Sequence, residues 1–199
     1  MTRGKTFIIC GPSGVGKGTV VGKLLAEDPS LYFSVSATTR DPRPGEVDGV
    51  HYHFLTKEQF QNWVDEDRFL EHATFVDNSY GTPALYVDQA MEEGRDVILD
   101  IEIQGAEQVK AKRPETIRIY IAPPSWSELE KRLIGRGTES EEKVRSRLKR
   151  GREEFAAAKD FDYFVINDTV DRAVEEIRAI MCAEHCRPDE RIAMIDPRL

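Results

Sequence analysis

The sequence predicts an α/β fold: a parallel sheet flanked by helices, with a small mixed-β insertion and a helical lid. Three observations predict it. Apolar or β-branched runs at Phe7–Cys10, Val97–Leu99, Ile117–Ile121 and Tyr163–Ile166 alternate with helical patterns at about 17–27, 84–94, 103–112, 125–135 and 170–184. Alternation of this kind places buried parallel strands between covering helices. Residues 35–83 break the alternation with turn chemistry, aromatic segments and one helical pattern at 56–66, which reads as a small separate sheet. A basic segment entered through glycines, at about 135–150, reads as a lid.

The first strand feeds Gly11, Pro12, Ser13, Gly14, Val15 and Gly16, followed by Lys17, Gly18 and Thr19. A glycine-rich turn opening a helix leaves backbone N–H groups pointing into a concavity that suits phosphate oxygens. The spacing Gly11-x-x-x-x-Gly16-Lys17 fits the phosphate-binding loop, whose lysine reaches the β- and γ-phosphates of a nucleotide. One position departs from that pattern. Where a Ser or Thr hydroxyl ordinarily meets magnesium there is Gly18, with Thr19 one step later, so that ligand is missing or displaced.

Within the insertion, Asp41-Pro42-Arg43-Pro44-Gly45 and Asp48-Gly49 are turn signals, and His51-Tyr52-His53-Phe54 is an aromatic strand pattern. The insertion is expected to form the far wall of a cleft. Further on, a helix stops near Gly135-Arg136-Gly137, and another starts with Ser140 or Thr138 as N-cap and acids in its first turn. That second helix, to about Ala158, carries Lys143, Arg147 and Arg150 on one face. Residues 187–199 hold two prolines and little periodicity, and the sequence leaves their state open.

The 199 residues suffice for one well-buried domain with an insertion and are too few for two full ones. No apolar run approaches a membrane span, and residues 1–6 lead into the first strand without room for a signal peptide. A cytoplasmic protein with no membrane partner is therefore expected. The three cysteines, Cys10, Cys182 and Cys186, are an odd count that fits a reducing compartment. Cys182, His185 and Cys186 lack a second pair of ligands and read as a helix end. The net charge of −8 excludes a protein that coats nucleic acid. Yet between Lys131 and Arg152 nine basic residues stand against three acidic ones, and a local cationic patch suits a small polyanion better than a polymer.

Five segments, in order, closely resemble guanylate kinases: Gly11–Thr19, Ser34–Glu46, Ile98–Gly105, Ile121–Ser125 and Arg132–Thr138. The resemblance runs from about residue 5 to 184. It implies a P-loop nucleoside-monophosphate kinase-like fold, with residues 1–34 and 84–186 as core, the lid at about 135–150, residues 35–83 as a GMP-binding insertion and 187–199 as a tail. The implied reaction moves the γ-phosphoryl of ATP to GMP, and to dGMP, giving ADP and GDP. Mg2+ accompanies ATP, and no nucleic-acid polymer takes part. By the same resemblance Lys17, Arg132, Arg136 and Arg147 are catalytic, while Gly11 through Thr19 hold ATP, with Asn167 and Asp168 at its adenine. Arg40, Arg43, Tyr52 and Tyr80 hold the GMP phosphate, and Ser36, Glu71, Gly81, Thr82 and Asp100 read or frame guanine. Asp100 has a competing role near magnesium, and Asp100 or Thr19 would reach the metal through water.

The chemistry of these residue types agrees with those roles. Arginine forks pair bidentately with phosphate, and tyrosine hydroxyls add neutral donors. A carboxylate only accepts, which suits the N1–H and 2-amino group of guanine, and a hydroxyl can donate to O6. Seen alone, Tyr52 and Tyr80 read as packing residues; for Arg40 and Arg43 beside two prolines a solvated turn is the lesser alternative to a phosphate site. Two other readings stay open. One is a different small-molecule kinase on the same scaffold, such as a different nucleoside-monophosphate kinase or a ribose-bisphosphate kinase; a ribose-phosphate substrate would have no use for Ser36, Glu71 and Thr82 together. The other is a binding module for phosphorylated proteins that has lost catalysis, which would not need Lys17 with Arg132, Arg136 and Arg147. Oligomeric state stays open.

Overall fold

The computed structural model describes residues 3–135, 140–193 and 195. In chain order its elements are β1 (Thr6–Cys10), α1 (Lys17–Glu27), β2 (Tyr32–Phe33), β3 (Ala37–Thr38), β4 (His53–Phe54), α2 (Lys57–Asp65), β5 (Phe69–Phe75), β6 (Asn78–Pro83) and α3 (Ala84–Glu92). Then follow β7 (Val97–Asp100), α4 (Ile103–Lys112), β8 (Ile117–Ala122), α5 (Trp126–Ile134), α6 (Glu141–Ala157), β9 (Tyr163–Ile166), α7 (Val170–Glu184) and α8 (Pro188–Ala193). A helix-flanked parallel sheet runs in the order β2-β7-β1-β8-β9, and a mixed sheet in the order β4-β3-β6-β5. The sequence-predicted strands and helices fall within one or two residues of these bounds. Elements not identified one by one from the sequence are β2 and β3, whose two residues are too short for a periodic signature, β5 and β6, covered there only by the mixed-β insertion as a whole, and α8, in the segment left open.

The chain divides into two compact units, one of residues Arg3–Ile8 and Ser30–Ile117, the other of Ile9–Pro29 and Arg118 onward. In the first, β2 pairs in parallel with β7, Tyr32 opposite Val97. The mixed sheet arises because β3 runs parallel to β4 but antiparallel to β6, which turns back on β5 through the two residues Val76 and Asp77. A local core forms where Phe60 of α2 stacks on Phe69 of β5 at 4.6 Å, beside Ala37 and Trp63. Residues α2 needs at its start are written into the chain: the Gln59 N–H donates to the Thr56 hydroxyl, and the Thr56 N–H to the Gln59 side chain. Reciprocal capping of this kind satisfies two otherwise orphaned donors.

In the second unit, β8 and β9 pair in parallel from Ile119 opposite Tyr163 to Ala122 opposite Ile166. All six residues of β8 are buried. Helix α7 buries Ala173, Val174, Ile177 and Met181, a stripe at helical spacing that packs against α1, whose buried face is Val20, Val21 and Leu24. Each of the Val, Leu, Ile and Met side chains among them, fully withdrawn from water, contributes about 1.5–3 kcal/mol. Ser125 caps α5 by accepting from the Glu128 N–H, and Ser140 rather than Thr138 caps α6 by accepting from the Lys143 N–H. Thr138 and Arg136 lie outside the described residues.

Candidate active site

In the second unit the chain leaves buried Cys10 and turns at once. A Cβ on Gly11 would stand 2.6 Å from the Ile121 carbonyl oxygen, so only glycine passes there. Gly14 and Gly16 have φ of +89° and +96°, the left-handed region that side chains disfavour. Gly16 is the N-cap of α1 and offers no side chain to its first turn, the condition under which a helix start accepts an anion. Lys17 is the first residue of α1 and half-buried.

Residues far along the chain hold this loop in place. The Asn167 amide, buried, donates to the Val15 carbonyl at 2.7 Å. Arg132 donates to the same carbonyl at 3.1 Å and to the Asn167 carbonyl at 3.1 Å, while its Nε meets Glu128. Arg147 of α6 donates to the Ser13 hydroxyl at 2.8 Å. Thus Arg132, Arg147 and Asn167 come together on the loop. Asp168, exposed, accepts from the Thr169 N–H and pairs with Arg172.

The first unit holds the other set of candidates. Glu71 on β5 is buried, and the buried Thr82 hydroxyl on β6 donates to its Oε1 at 2.7 Å. Its Oε2 faces Gly105 of α4, where a Cβ would come within 2.8 Å. Burial raises the Glu71 carboxyl above the usual range; bonds from Thr82 pull it back, and the Glu102 charge pushes it further up. Ser36 is half-buried, its carbonyl accepting from the His53 N–H. Asp100 ends β7, half-buried. Tyr52 and Tyr80 lie edge to face at 6.3 Å, and the Arg40 guanidinium stands 5.1 Å over the Tyr52 ring. Arg40 is gripped by Glu46, whose carboxylate also accepts from the Arg43 N–H. Those bonds hold the Glu46 carboxyl down to about 2. Arg43 itself is exposed, and Gly81 lies on β6 against Phe69.

The family model for guanylate kinase matches residues 3–184. The chain belongs to the guanylate kinase family. It is 51% identical over 187 residues to the guanylate kinase of Caldanaerobacter subterraneus subsp. tengcongensis, covering 94% of this chain and 91% of that one. To the guanylate kinase of Oceanobacillus iheyensis it is 50% identical over 191 residues, 96% and 92% of the two chains. The crystal structure of guanylate kinase from Anaplasma phagocytophilum superposes with a TM-score of 0.73 at 28% identity, covering 94% of this chain and 89% of that chain.

Two residues at this guanylate kinase's candidate site escaped the sequence reading. Gly105 provides the space in which the Glu71 carboxylate lies, and Glu46 holds Arg40. Both sat inside recognised segments, but neither residue type announces such a role. The loop glycines also differ in what they tolerate. Nothing lies within 4 Å of a Cβ on Gly18, whereas one on Gly16 would meet the Asn167 amide at 2.7 Å with φ already positive. Gly18→Ser is therefore expected to keep kcat/KM within about tenfold, a change of about 1.4 kcal/mol, and Gly16→Ala to lose far more. Steady-state kinetics with MgATP checks this; a collapse in Gly18→Ser would show that the glycine serves loop geometry.

Proposed function

We propose that this guanylate kinase catalyses transfer of the γ-phosphoryl of ATP to GMP, and to dGMP, giving ADP and GDP. The observation that carries the choice of acceptor is the buried Glu71 paired with Thr82 beside Gly105. Such a carboxylate accepts from two adjacent donors, as guanine's N1–H and 2-amino group require. Ser36 donates to O6, and Asp100, Gly81 and Thr82 frame the base. Arg40, Arg43, Tyr52 and Tyr80 hold the GMP phosphate, whose oxygen forms the new bond to the γ-phosphorus while the bond to the β,γ-bridging oxygen breaks and its electron pair leaves with ADP.

On the ATP side, the loop from Gly11 through Thr19 wraps the phosphates with backbone N–H groups, apart from Pro12, which has none, and from Val15 and Thr19, whose N–H groups donate within the loop; Asn167 with Asp168 border the adenine. Lys17 places its charge on the β- and γ-phosphates as charge redistributes, with Arg132, Arg136 and Arg147 adding to it. Magnesium enters as the MgATP substrate and neutralises the phosphate chain. With no side chain at Gly18, the residues this chain would offer the ion are Thr19 and Asp100, hard oxygen donors that would meet it through water. The chain's role is then to position, to neutralise and to exclude water. No helix among the described residues is long and apolar enough to cross a membrane, and with three free cysteines the proposed compartment is the cytoplasm.

A coupled ADP-release assay with MgATP and a panel of GMP, dGMP, AMP, CMP, UMP and a ribose bisphosphate tests the reading. Turnover with GMP and dGMP alone is expected. Turnover only with a ribose bisphosphate, or none at all, would overturn it. Binding of GMP and ATP together is further expected to compact the enzyme, because a transferable phosphoryl group left open to water would hydrolyse. Small-angle scattering should show a smaller radius of gyration with both ligands. An unchanged radius with unchanged protease sensitivity near Gly135 would count against closure.

A further inference from the structure

Arg40 sits in a turn containing Pro42, Pro44 and Gly45, the last at φ +87°. A long side chain leaving such a turn needs an anchor if its guanidinium is to meet a ligand in one geometry, because an Arg left to rotate loses rotamer freedom on binding. Glu46 supplies one. Its Oε2 accepts from Arg40 Nη1 at 2.7 Å and its Oε1 from Nη2 at 2.9 Å, a two-pronged pair. The same Oε2 accepts from the Arg43 N–H at 2.7 Å, and the Glu46 N–H donates back to the Arg43 carbonyl at 3.0 Å. A single carboxylate thus closes the turn and fixes the guanidinium.

Donor accounting decides what this pair does. A guanidinium has five N–H donors. Both hydrogens of Nη1 are used, one by Glu46 and one by the Asp41 carbonyl at 2.8 Å, and one hydrogen of Nη2 is used by Glu46. The two that have no partner among the described residues are Nε and the second Nη2 hydrogen. They lie on one edge of the group and form a second fork, the width of a phosphate's two oxygens. The Tyr52 and Phe54 rings, 5.1 and 5.7 Å from the guanidinium carbon, flank the same group.

We propose that Glu46 is a positioning residue for phosphoryl acceptor binding: it holds the end of Arg40 so that the Nε–Nη2 edge is presented to the phosphate of the nucleoside monophosphate. It acts through Arg40 and does not touch substrate. A carboxylate so close to a dianion is repulsive unless Arg40 stands between them, so its benefit depends on that arginine. This inference rests on Arg40 gripping the acceptor phosphate, as proposed above.

The test is a double-mutant cycle of Glu46→Gln and Arg40→Ala, read as KM for GMP, KM for ATP and the inhibition constant of guanosine, which lacks the phosphate. Glu46→Gln is expected to raise KM for GMP about tenfold to a hundredfold, the range for a bond to a charged group. KM for ATP and guanosine inhibition should stay within about twofold, the scatter expected of independent sites. In the Arg40→Ala background the same change should cost nothing further or improve GMP binding. A lower KM in Glu46→Gln would mean that the carboxylate competes with phosphate, and equal losses of guanosine and GMP binding, or additive losses in the double variant, would mean that it only supports the turn; each overturns the proposal. If Arg40→Ala itself leaves KM for GMP unchanged, the phosphate-grip reading fails, and this inference falls with it. Should Glu46→Gln not fold, Glu46→Asp, charged but one methylene short of reaching the Arg40 guanidinium, is read by the same criteria.

Discussion

Lys17→Met is expected to lower kcat by on the order of a hundredfold or more while barely changing GMP affinity. Methionine keeps the length of the stem and removes the ammonium group, its charge together with its three N–H donors. That charge leaves the first position of α1, where Gly16 provides no capping side chain and the helix start faces the loop. A group acting on the β- and γ-phosphates strengthens its interaction as negative charge shifts toward the bridging oxygen, so its loss appears in kcat rather than in acceptor binding. The measurement is steady-state kinetics in both substrates, with calorimetry for GMP. Transfer near the parent rate would show that the Lys17 charge does not act on the transferring group.

Glu71→Gln is expected to cut kcat/KM for GMP steeply, and the parent enzyme to prefer GMP over AMP by roughly 10⁴-fold, as sites built on a substrate hydrogen bond can. AMP has an unprotonated N1 and no 2-amino group, so it would set a lone pair against a buried carboxylate. An amide accepts from only one of guanine's two donors and opposes the other. Ser36→Ala should matter less, since one neutral bond is lost. Comparable kcat/KM for GMP and AMP in the parent would show that guanine is not read here.

The raised carboxyl of Glu71 gives the same variant a pH signature. In the proposed site GMP pairs with the ionised form, so affinity is expected above the folded-state value and lost as pH falls through it. Because burial, assisted by Glu102, has moved that value up, the loss begins above the usual glutamate range. The GMP phosphate also titrates, near pH 6, so the Glu71 contribution is the part that disappears in Glu71→Gln. Linkage fixes the sign for stability: the folded state binds its proton more tightly than the unfolded one, so stability falls as pH rises from the ordinary carboxylate range to the folded-state value. Glu71→Gln removes that loss, and thermal melts at neutral pH should find the variant no less stable than the parent.

Residue types and spacing made much of this legible from the chain. The run into β1 with Gly16 and Lys17 marked the glycine-rich loop and the start of α1; the helical pattern at 56–66 marked α2; and Glu71 with Thr82, candidates for reading guanine by the family resemblance, meet in a buried hydrogen bond. These are local patterns, or motifs whose spacing reflects one turn of backbone. Other features were not readable. Two-residue strands such as β2 have no period to detect, and their existence follows from pairing with β7.

By itself, then, the sequence determined the alternation of the longer core strands and helices, the loop that suits phosphate and the family to which the chain belongs. Tertiary structure alone decided which side chains lock that loop and which shape the base and phosphate sites. Asn167 reaches Val15 across 152 positions, Gly105 clears space for Glu71, and Glu46 takes one edge of Arg40 and leaves the other. The physical reason is that hydrogen-bond direction, burial and the room left by a missing Cβ are properties of positions in space, and residues distant in the chain acquire them only once packing has brought them together.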